Sequence, residues 1–361
     1  MDQATSQGPR KGRGSLTNAV GRFEGYDRVT IDDGWGSADE PVLPLGTTLT
    51  EDTTRTIIAR NRSPDVPFDR SINPYRGCEH GCIYCFARPT HAYLGLSPGL
   101  DFESRLFYKP RAAELLAKEL SAASYRCEPI AMGTNTDPYQ PIEREYKITR
   151  SLLEVLERYQ HPVTIITKSG VVVRDIDILE RMARKNLARV FVSITSLNNE
   201  IARTLEPRAS APARRLAAVK QLADAGIPVG VLMSPIIPTI TDVEIEDVVA
   251  AAAEAGATYC GYILLRLPRE IKDLFGEWLQ AHFPLRAKHI ESLLMQMRGG
   301  KVYEAAFGKR MKGTGIFAEL LANRFKLACQ KHGIANERVA LRTDLFVRPS
   351  KSVPSPQMAL F

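Results

Sequence analysis

The chain has 361 residues, 44% of them hydrophobic, and a formal net charge of +7 from 48 basic and 41 acidic side chains. A chain of this length can bury an ample core, so a small fold that depends on disulfide bonds is not expected. No apolar run approaches the roughly 18 residues of a membrane helix, and the first residues lack the apolar stretch of a secretory signal, so we expect no membrane span. Free thiols fit a reducing cytoplasm, which is the expected location.

Residues 1–62 are rich in Gly, Ser, Thr, Pro and charged residues, and they are predicted to form a disordered, basic N-terminal arm. Strand and helix patterns then alternate over residues 63–267. The six predicted strands lie at 71–77, 129–133, 162–167, 189–193, 228–233 and 258–265. Six strands that alternate with helices predict an α/β fold with a parallel sheet, specifically a partial (β/α)6 TIM-like barrel.

Helical periodicity fills the intervals between the strands and continues after the last one. The helices between strands are predicted at 111–123, 149–159, 175–185, 213–225 and 243–255. Residues 268–346 are predicted to form a helical C-terminal extension, with helices at 270–282, 285–298 and 316–331. Residues 347–361 contain three prolines and are predicted to be a flexible tail.

Three of the six cysteines lie within eight residues, at Cys78, Cys82 and Cys85, with the spacing C-x3-C-x2-C. Three thiolates can hold three irons of a [4Fe–4S] cluster and leave the fourth iron open to a substrate or cofactor. A zinc site that adds His80 or His91 is the alternative. Structural zinc usually takes four ligands, often as two pairs, and the sequence offers no second pair, so the spacing favours iron.

The cysteine spacing, with an aromatic residue, Tyr84, before the third cysteine, resembles the signature of the radical S-adenosylmethionine (SAM) superfamily. Two longer runs resemble an uncharacterised bacterial subfamily of it, often labelled photolyase-like and related to spore photoproduct lyase. They read SPDVPFDRSINPYRGCEHGCIYCFARPTHAYLGLSPGLDFESRLFYKP (63–110) and GTNTDPYQPIE (133–143). The resemblance implies a partial barrel, a [4Fe–4S] cluster and SAM as cofactors, and a flavodoxin or ferredoxin as electron donor. It also implies a 5′-deoxyadenosyl radical that abstracts hydrogen from the substrate.

By position, the resemblance implies SAM-binding residues at the strand ends. They are Tyr84 and Met233 at the adenine, Thr134 and Asn135 at the ammonium, Lys168 and Arg208 at the carboxylate, and Ser193 and Thr195 at the carboxylate or ribose. An ammonium has donors but no acceptor, so hydroxyl and amide oxygens suit it. The alternative is that these are ordinary strand residues and surface charges. Asp137 and Tyr139 are candidate substrate contacts and catalytic residues.

One position departs from spore photoproduct lyase. That enzyme carries a cysteine at the end of the second strand, which returns a hydrogen atom to the product radical, and this chain has Thr134 there. A hydroxyl O–H bond is too strong to donate that hydrogen easily, so thymine-dimer repair by the same mechanism is not expected. A tyrosine, namely Tyr84, Tyr139 or Tyr262, is the alternative for radical transfer.

The last five residues, Gln-Met-Ala-Leu-Phe, resemble the peptide by which bacterial DNA polymerases and repair proteins bind the sliding clamp. Gln357 would be the polar contact, and Leu360 and Phe361 the apolar anchors. The tail, the basic arm and the family branch together favour a nucleic-acid substrate, in DNA repair or modification, over a protein or a small molecule. A non-catalytic, metal-stabilised protein that binds nucleic acid or the clamp is the alternative.

Overall fold

The structure is a computed structural model, and it describes residues 10–25, 45–334 and 340–349. Six parallel strands form its centre, in the order β3 (Arg70–Ile72), β6 (Ile130–Met132), β7 (Val163–Thr167), β8 (Ala188–Ser193), β9 (Val229–Ile236) and β10 (Tyr259–Leu264). The short β2 (Ile58–Arg60) pairs antiparallel with β3 at one edge. The six parallel strands confirm the predicted partial barrel of the α/β class.

Helices join these strands and pack against them. They are α2 (Ala112–Leu120), α3 (Glu143–Tyr146), α4 (Ile148–Arg158), α5 (Ile176–Ala183), α6 (Asn199–Leu205), α7 (Pro212–Asp224) and α8 (Ile245–Glu254). In α4 the side chains of Leu152, Leu153 and Leu156 are fully buried, whereas Glu154 and Arg158 are exposed. This one-sided apolar face is what directs the helix onto the sheet.

A second, three-stranded sheet precedes the barrel and was not predicted. Its central strand, β5 (Arg105–Tyr108), follows α1 (Leu100–Ser104) directly. It pairs in parallel with β1 (Thr48–Glu51) and antiparallel with β4 (Tyr75–Arg76). The loop that carries the three cysteines, residues 77–87, is called the cysteine loop. Because it begins immediately after β4, this small sheet fixes one end of it.

Part of the segment predicted as a disordered arm is folded against the barrel, so the prediction is wrong for residues 10–25 and 45–62. The strands β1 and β2 order the second segment by pairing with β5 and β3, whereas the first segment is ordered by Glu103, a fully buried carboxylate. Its two oxygens accept hydrogen bonds from the backbone N–H groups of Gly14 and Ser15, at 2.9 and 2.8 Å. A buried charge requires such partners. The rest of the predicted arm, 1–9 and 26–44, lies outside the described residues.

The C-terminal helical extension is confirmed by α9 (Ile271–His282), α10 (Ala287–Gln296) and α11 (Ile316–Lys331). Trp278 anchors α9, since its ring is fully buried and its Nε1 donates to the Thr204 carbonyl at 3.1 Å. The predicted clamp peptide lies outside the described residues. No helix in the described part of the chain has the length and apolar character needed to cross a membrane.

Candidate functional site

The cysteine loop connects β4 to the 3₁₀ helix Arg88–Leu94 and is held from beneath by a buried guanidinium. Arg88 is fully buried and donates hydrogen bonds to the carbonyls of Gly81 and Cys82 at 3.0 and 2.9 Å. It also donates to the carbonyls of Pro98 and Gly99, at 3.1 and 2.9 Å, and pairs with Glu103 at 2.5 Å. A positive φ of 65° at Gly81 allows the turn between the first two cysteines. The loop backbone is therefore set by buried polar contacts.

The three thiols of this loop face one cavity of about 550 Å³ at the carboxyl ends of the parallel strands. Cys78, Cys82 and Cys85 all line it as free thiols. Burial raises the pKa of Cys78 well above its ordinary value and the pKa of Cys82 to about 12. These thiols therefore stay protonated near neutral pH unless a metal displaces the proton.

The donor set fits a cluster rather than a closed mononuclear metal site. Three cysteines around a cavity are the ligands that a [4Fe–4S] cluster with one open iron requires. Within residues 10–25, 45–334 and 340–349, no three His, Cys, Asp or Glu side chains converge on one point as a preformed metal site. The three thiols therefore share the cavity without being preformed around a metal centre, and the preference for a cluster over zinc rests on the number of cysteines.

Neither histidine of the zinc alternative completes a site. His80 lines the cavity, but its Nδ1 lies 3.3 Å from Asp137 Oδ2. Although burial opposes ionisation, His80 and hydrogen bonds lower the pKa of Asp137 to about 2. His91 is fully buried, with Nε2 2.9 Å from the carbonyl of Arg105, and is not among the residues that line the cavity.

Asp137 joins the ends of β6 and β7. Its carboxylate accepts hydrogen bonds from the Thr167 hydroxyl and the Lys168 N–H, both at 2.7 Å, and from the Tyr139 N–H at 2.9 Å. Tyr139 itself is fully buried, does not line the cavity, and donates its hydroxyl to Asp175 at 3.0 Å. The predicted substrate contact at Tyr139 does not fit this position, because the turn at Asp137 sends the next side chains into the core.

Lys168 brings a positive charge into the cavity at the end of β7. Its Nζ lies 5.7 Å from the centre of the Tyr84 ring, and no carboxylate among the described residues lies within ion-pair distance of it. Burial opposes the charge, but Cys82 and Glu206 hold the pKa of Lys168 above its ordinary value. The ammonium group is therefore charged and available to an anionic ligand.

Glu206 is a functional candidate that the sequence analysis missed. It is almost fully buried, accepts hydrogen bonds from the hydroxyls of Thr195 (2.6 Å) and Tyr84, and pairs with Arg215. Burial opposes its ionisation, but Arg215 and Lys168 lower the pKa of Glu206. Burial and the carboxylate together raise the pKa of Tyr84 well above its ordinary value. Glu206 thus fixes a neutral Tyr84 ring at the cavity wall.

The predicted SAM-binding residues separate into two groups. Those that line the cavity are Tyr84, Thr134, Asn135, Lys168 and Ser193. Asn73, also missed from the sequence, positions two of them: its Oδ1 accepts hydrogen bonds from the Thr134 hydroxyl at 3.2 Å and the Asn135 N–H at 2.8 Å. The ends of β6, β7 and β8 therefore present polar groups to one space.

The other three, Thr195, Arg208 and Met233, are not among the residues that line the cavity. Thr195 lies behind Tyr84 and is 1% exposed. Arg208 pairs with Glu79 at 3.1 Å. Met233 is buried because alternate strand residues point to opposite faces of a sheet, so its neighbour Ser234 lines the cavity instead. Direct contact of these three with a cofactor is not supported by their positions.

The outer part of the cavity is basic and partly apolar. The Arg266 guanidinium lies 5.5 Å from the centre of the Phe86 ring, and Nη1 lies 3.5 Å from the Met311 sulfur. Its buried Nε has no hydrogen-bond partner among the described residues. Arg310, by contrast, is paired with Asp65. Arg60, which also lines the cavity, lies 3.6 Å from Asp69, so Arg266 is the one arginine of the described cavity lining that forms no ion pair.

Known proteins share this sequence and fold. Residues 72–252, half of the chain, match the profile of the radical SAM superfamily. An uncharacterized protein of Mycobacterium tuberculosis is 35% identical over 239 residues, which cover 64% of this chain and 70% of that protein. One of Methanocaldococcus jannaschii is 29% identical over 174 residues, 48% of this chain and 62% of that protein.

Among solved structures, a spore photoproduct lyase variant with bound AdoMet, which is SAM, and dinucleoside spore photoproduct is similar to this chain. The TM-score is 0.55, and the match covers 79% of each chain. Only 17% of the residues are identical. A likeness at that level of identity concerns the fold alone.

Proposed function

Because this chain belongs to the radical SAM superfamily and is an enzyme of that superfamily, we propose that its cavity holds a [4Fe–4S] cluster on Cys78, Cys82 and Cys85, with SAM beside it. When bound and reduced, this pair supplies a 5′-deoxyadenosyl radical for hydrogen abstraction from a substrate. The observation that carries the proposal is that three thiols line one cavity at the strand ends together with the Lys168 ammonium, which forms no ion pair with any described residue. We expect the enzyme to work in a reducing cytoplasm with a flavodoxin or ferredoxin as electron donor.

Different residues of the cavity would bind different chemical groups of SAM. Lys168 would pair with the methionine carboxylate, and Ser193 would add a hydroxyl donor. Thr134 and Asn135, held by Asn73, present the oxygens that an ammonium needs. Tyr84, fixed by Glu206, supplies a flat apolar face for the adenine.

Hydrogen return to the product must use a group other than a cysteine at the end of β6, where Thr134 stands. Of the three tyrosines predicted as alternatives, Tyr84 lines the cavity, whereas Tyr139 and Tyr262 do not. Tyr262 packs its ring 4.8 Å from that of Phe325 on α11. Tyr84 is therefore the one of these three tyrosines whose ring is at the cavity, but its hydroxyl donates to the buried Glu206, so direct hydrogen return from Tyr84 is not proposed.

We propose nucleic acid as the substrate class, and Arg266 supports it. A phosphodiester is a common anionic ligand for an arginine that has no carboxylate partner. A spore photoproduct lyase variant of similar fold has a dinucleoside spore photoproduct bound.

Anaerobic assay of the purified protein tests the proposal. With dithionite and SAM, the iron-loaded enzyme should release 5′-deoxyadenosine, and Cys82→Ala should not. Cys127→Ala is the matched control, since Cys127 does not line the cavity. An iron-loaded protein that binds SAM but never cleaves it would favour the non-catalytic alternative.

A further inference from the structure

Two contacts join the same pair of segments, and the inner one lies at the cavity mouth. One segment, residues 86–94, follows the cysteine loop, and the other, residues 265–270, follows β10. Arg266 lies over the Phe86 ring, and Arg269 Nη1 reaches the Tyr93 hydroxyl at 3.5 Å. Three residues span at most about 11 Å, so the Cα atoms of the two arginines lie within about that distance of each other.

The outer contact carries a pair of exposed aromatic rings. The centres of the Phe23 and Tyr93 rings are 5.3 Å apart, and the side chains are 58% and 65% exposed. The Arg22 guanidinium lies 5.3 and 5.6 Å from the two ring centres, and Arg22 is itself paired with Glu270 at 2.5 Å. The Arg22 guanidinium, fixed by Glu270, thus holds both rings in place, and much of each ring is open to solvent.

Arg22 is paired with Glu270, whereas two other arginines near the aromatic rings have no acidic partner within ion-pair distance among the described residues. Arg266 and Arg269 form no ion pair with any residue that the structure describes. Phe86, at the inner end, is also 48% exposed. We define the arginine–aromatic surface as Phe23, Phe86, Tyr93, Arg266 and Arg269. It combines two arginines that form no ion pair with three exposed aromatic rings, and its inner members, Phe86 and Arg266, line the cavity.

We propose that the arginine–aromatic surface binds a single-stranded nucleic acid and leads it into the cavity. Unstacked bases stack on exposed rings, and phosphates bind neighbouring guanidinium groups, whereas a duplex keeps its base faces covered. An acidic peptide would use the arginines but leave the rings without a partner. This inference deepens the proposed function, because it specifies that the nucleic acid is single-stranded. It rests on the proposed function only for the reaction that follows binding.

Binding of a fluorescent single-stranded oligonucleotide to the full-length protein, followed by anisotropy, tests the inference. Phe23→Ala and Tyr93→Ala should each raise Kd about tenfold, because each removes one stacking face. Arg269→Ala should also raise Kd and make it less dependent on salt concentration. The matched controls are Leu285→Ala, a fully exposed apolar side chain, and Lys288→Ala, both beyond the far end of α9. They should bind as the unmodified protein does.

Three outcomes would overturn the inference: equal Kd values for Tyr93→Ala and Leu285→Ala, a duplex of the same sequence that binds as tightly as the single strand, or a polyglutamate peptide whose binding depends equally on Phe23 and Tyr93. The SAM cleavage assay separates the two proposals. Normal 5′-deoxyadenosine release without oligonucleotide binding overturns this inference alone. Oligonucleotide binding that Tyr93→Ala weakens, in a protein that does not cleave SAM, sustains this inference and overturns the proposed function.

Discussion

The Arg88 guanidinium and the Glu103 carboxylate meet at 2.5 Å, both fully buried, beneath the backbone of the cysteine loop. Arg88 also binds two carbonyls of that loop, and Glu103 binds the backbone of residues 14 and 15. The pair therefore connects two segments that are distant in sequence. Removal of one charge leaves the other buried without its partner, and this destabilises the folded protein more than the replacement of both charges by apolar side chains.

Glu103→Gln should lower the free energy of unfolding by about 3–5 kcal/mol, because it leaves the buried Arg88 charge uncompensated. Urea unfolding at neutral pH measures the effect. Glu180→Gln is the matched control, because its partner Arg184 is 74% exposed and the pair lies on the surface. A surface pair contributes about 0–1 kcal/mol. Equal losses in the two variants would contradict the role of the buried pair.

Reconstitution with iron and sulfide should give about four irons per chain and visible iron–thiolate absorbance. Cys78→Ala, Cys82→Ala and Cys85→Ala should each lose that absorbance, because each removes one cluster ligand. Cys127→Ala should keep it. Metal analysis that finds tight zinc and no iron in the reconstituted protein would restore the zinc alternative.

Lys168→Met should retain iron and weaken SAM binding by about 1.5–3 kcal/mol, the usual value of one charge-assisted contact. Anaerobic calorimetry measures the affinity. Lys185→Met is a suitable control, because this exposed lysine contacts Gln160 and does not line the cavity. Unchanged affinity in Lys168→Met would show that the SAM carboxylate binds elsewhere.

The titration of the buried His161 allows us to predict how the free energy of unfolding depends on pH. It is fully buried and neutral, because Nδ1 donates to the Pro162 carbonyl at 3.0 Å and Nε2 accepts from the Tyr125 hydroxyl at 2.8 Å. Burial lowers the pKa of His161 from 6.5 to about 4. Between these values the unfolded chain binds a proton that the folded chain does not, so the free energy of unfolding falls as the pH is lowered from 6.5 to 4.

At pH 5 this loss should amount to about 2 kcal/mol relative to pH 7. His161→Gln should abolish that part of the pH dependence, whereas the exposed His289→Gln should leave it unchanged. Urea unfolding at both pH values provides the comparison. The assignment fails if His161→Gln and the unmodified chain lose the same free energy.

A peptide of residues 353–361 should bind a bacterial sliding clamp with a Kd in the micromolar range, about −7 to −8 kcal/mol. Replacement of Leu360 and Phe361 by alanine should weaken binding strongly, because these two side chains are the proposed apolar anchors. Deletion of residues 357–361 should leave SAM cleavage intact. No binding of the full-length protein at high micromolar concentration would count against clamp recognition.

The parallel strands were predictable because their patterns are local. The run 162–167, Pro-Val-Thr-Ile-Ile-Thr, is apolar and β-branched, and β7 forms within it as Val163–Thr167. The small sheet was not predictable in this way, since β1 and β5 pair across more than fifty residues. Residues 13–15 were missed for the same reason: their order depends on Glu103, a charge about ninety positions away.

The predictions for the site were most accurate where the position of a residue along the backbone alone determines whether it lines the cavity. The cysteine loop and the ends of β6 and β7 follow from the order of the elements, so Asn135 and Lys168 lie at the cavity as expected. Side-chain direction was harder. In the run Glu-Pro-Arg the sequence analysis selected Arg208, but Glu206 is the residue that turns inward, because the buried Arg215 attracts it.

The contact of Gly14 with Glu103 also bears on the timing of synthesis, since 89 positions separate the two residues. A chain emerges from the ribosome N-terminus first, so residues 13–15 are made long before the carboxylate that orders them. The cysteines, at positions 78 to 85, are likewise complete before Glu103 and α1 exist. We expect the loop to reach its final backbone geometry only after that helix is made, so loading of the proposed cluster should follow the folding of downstream chain.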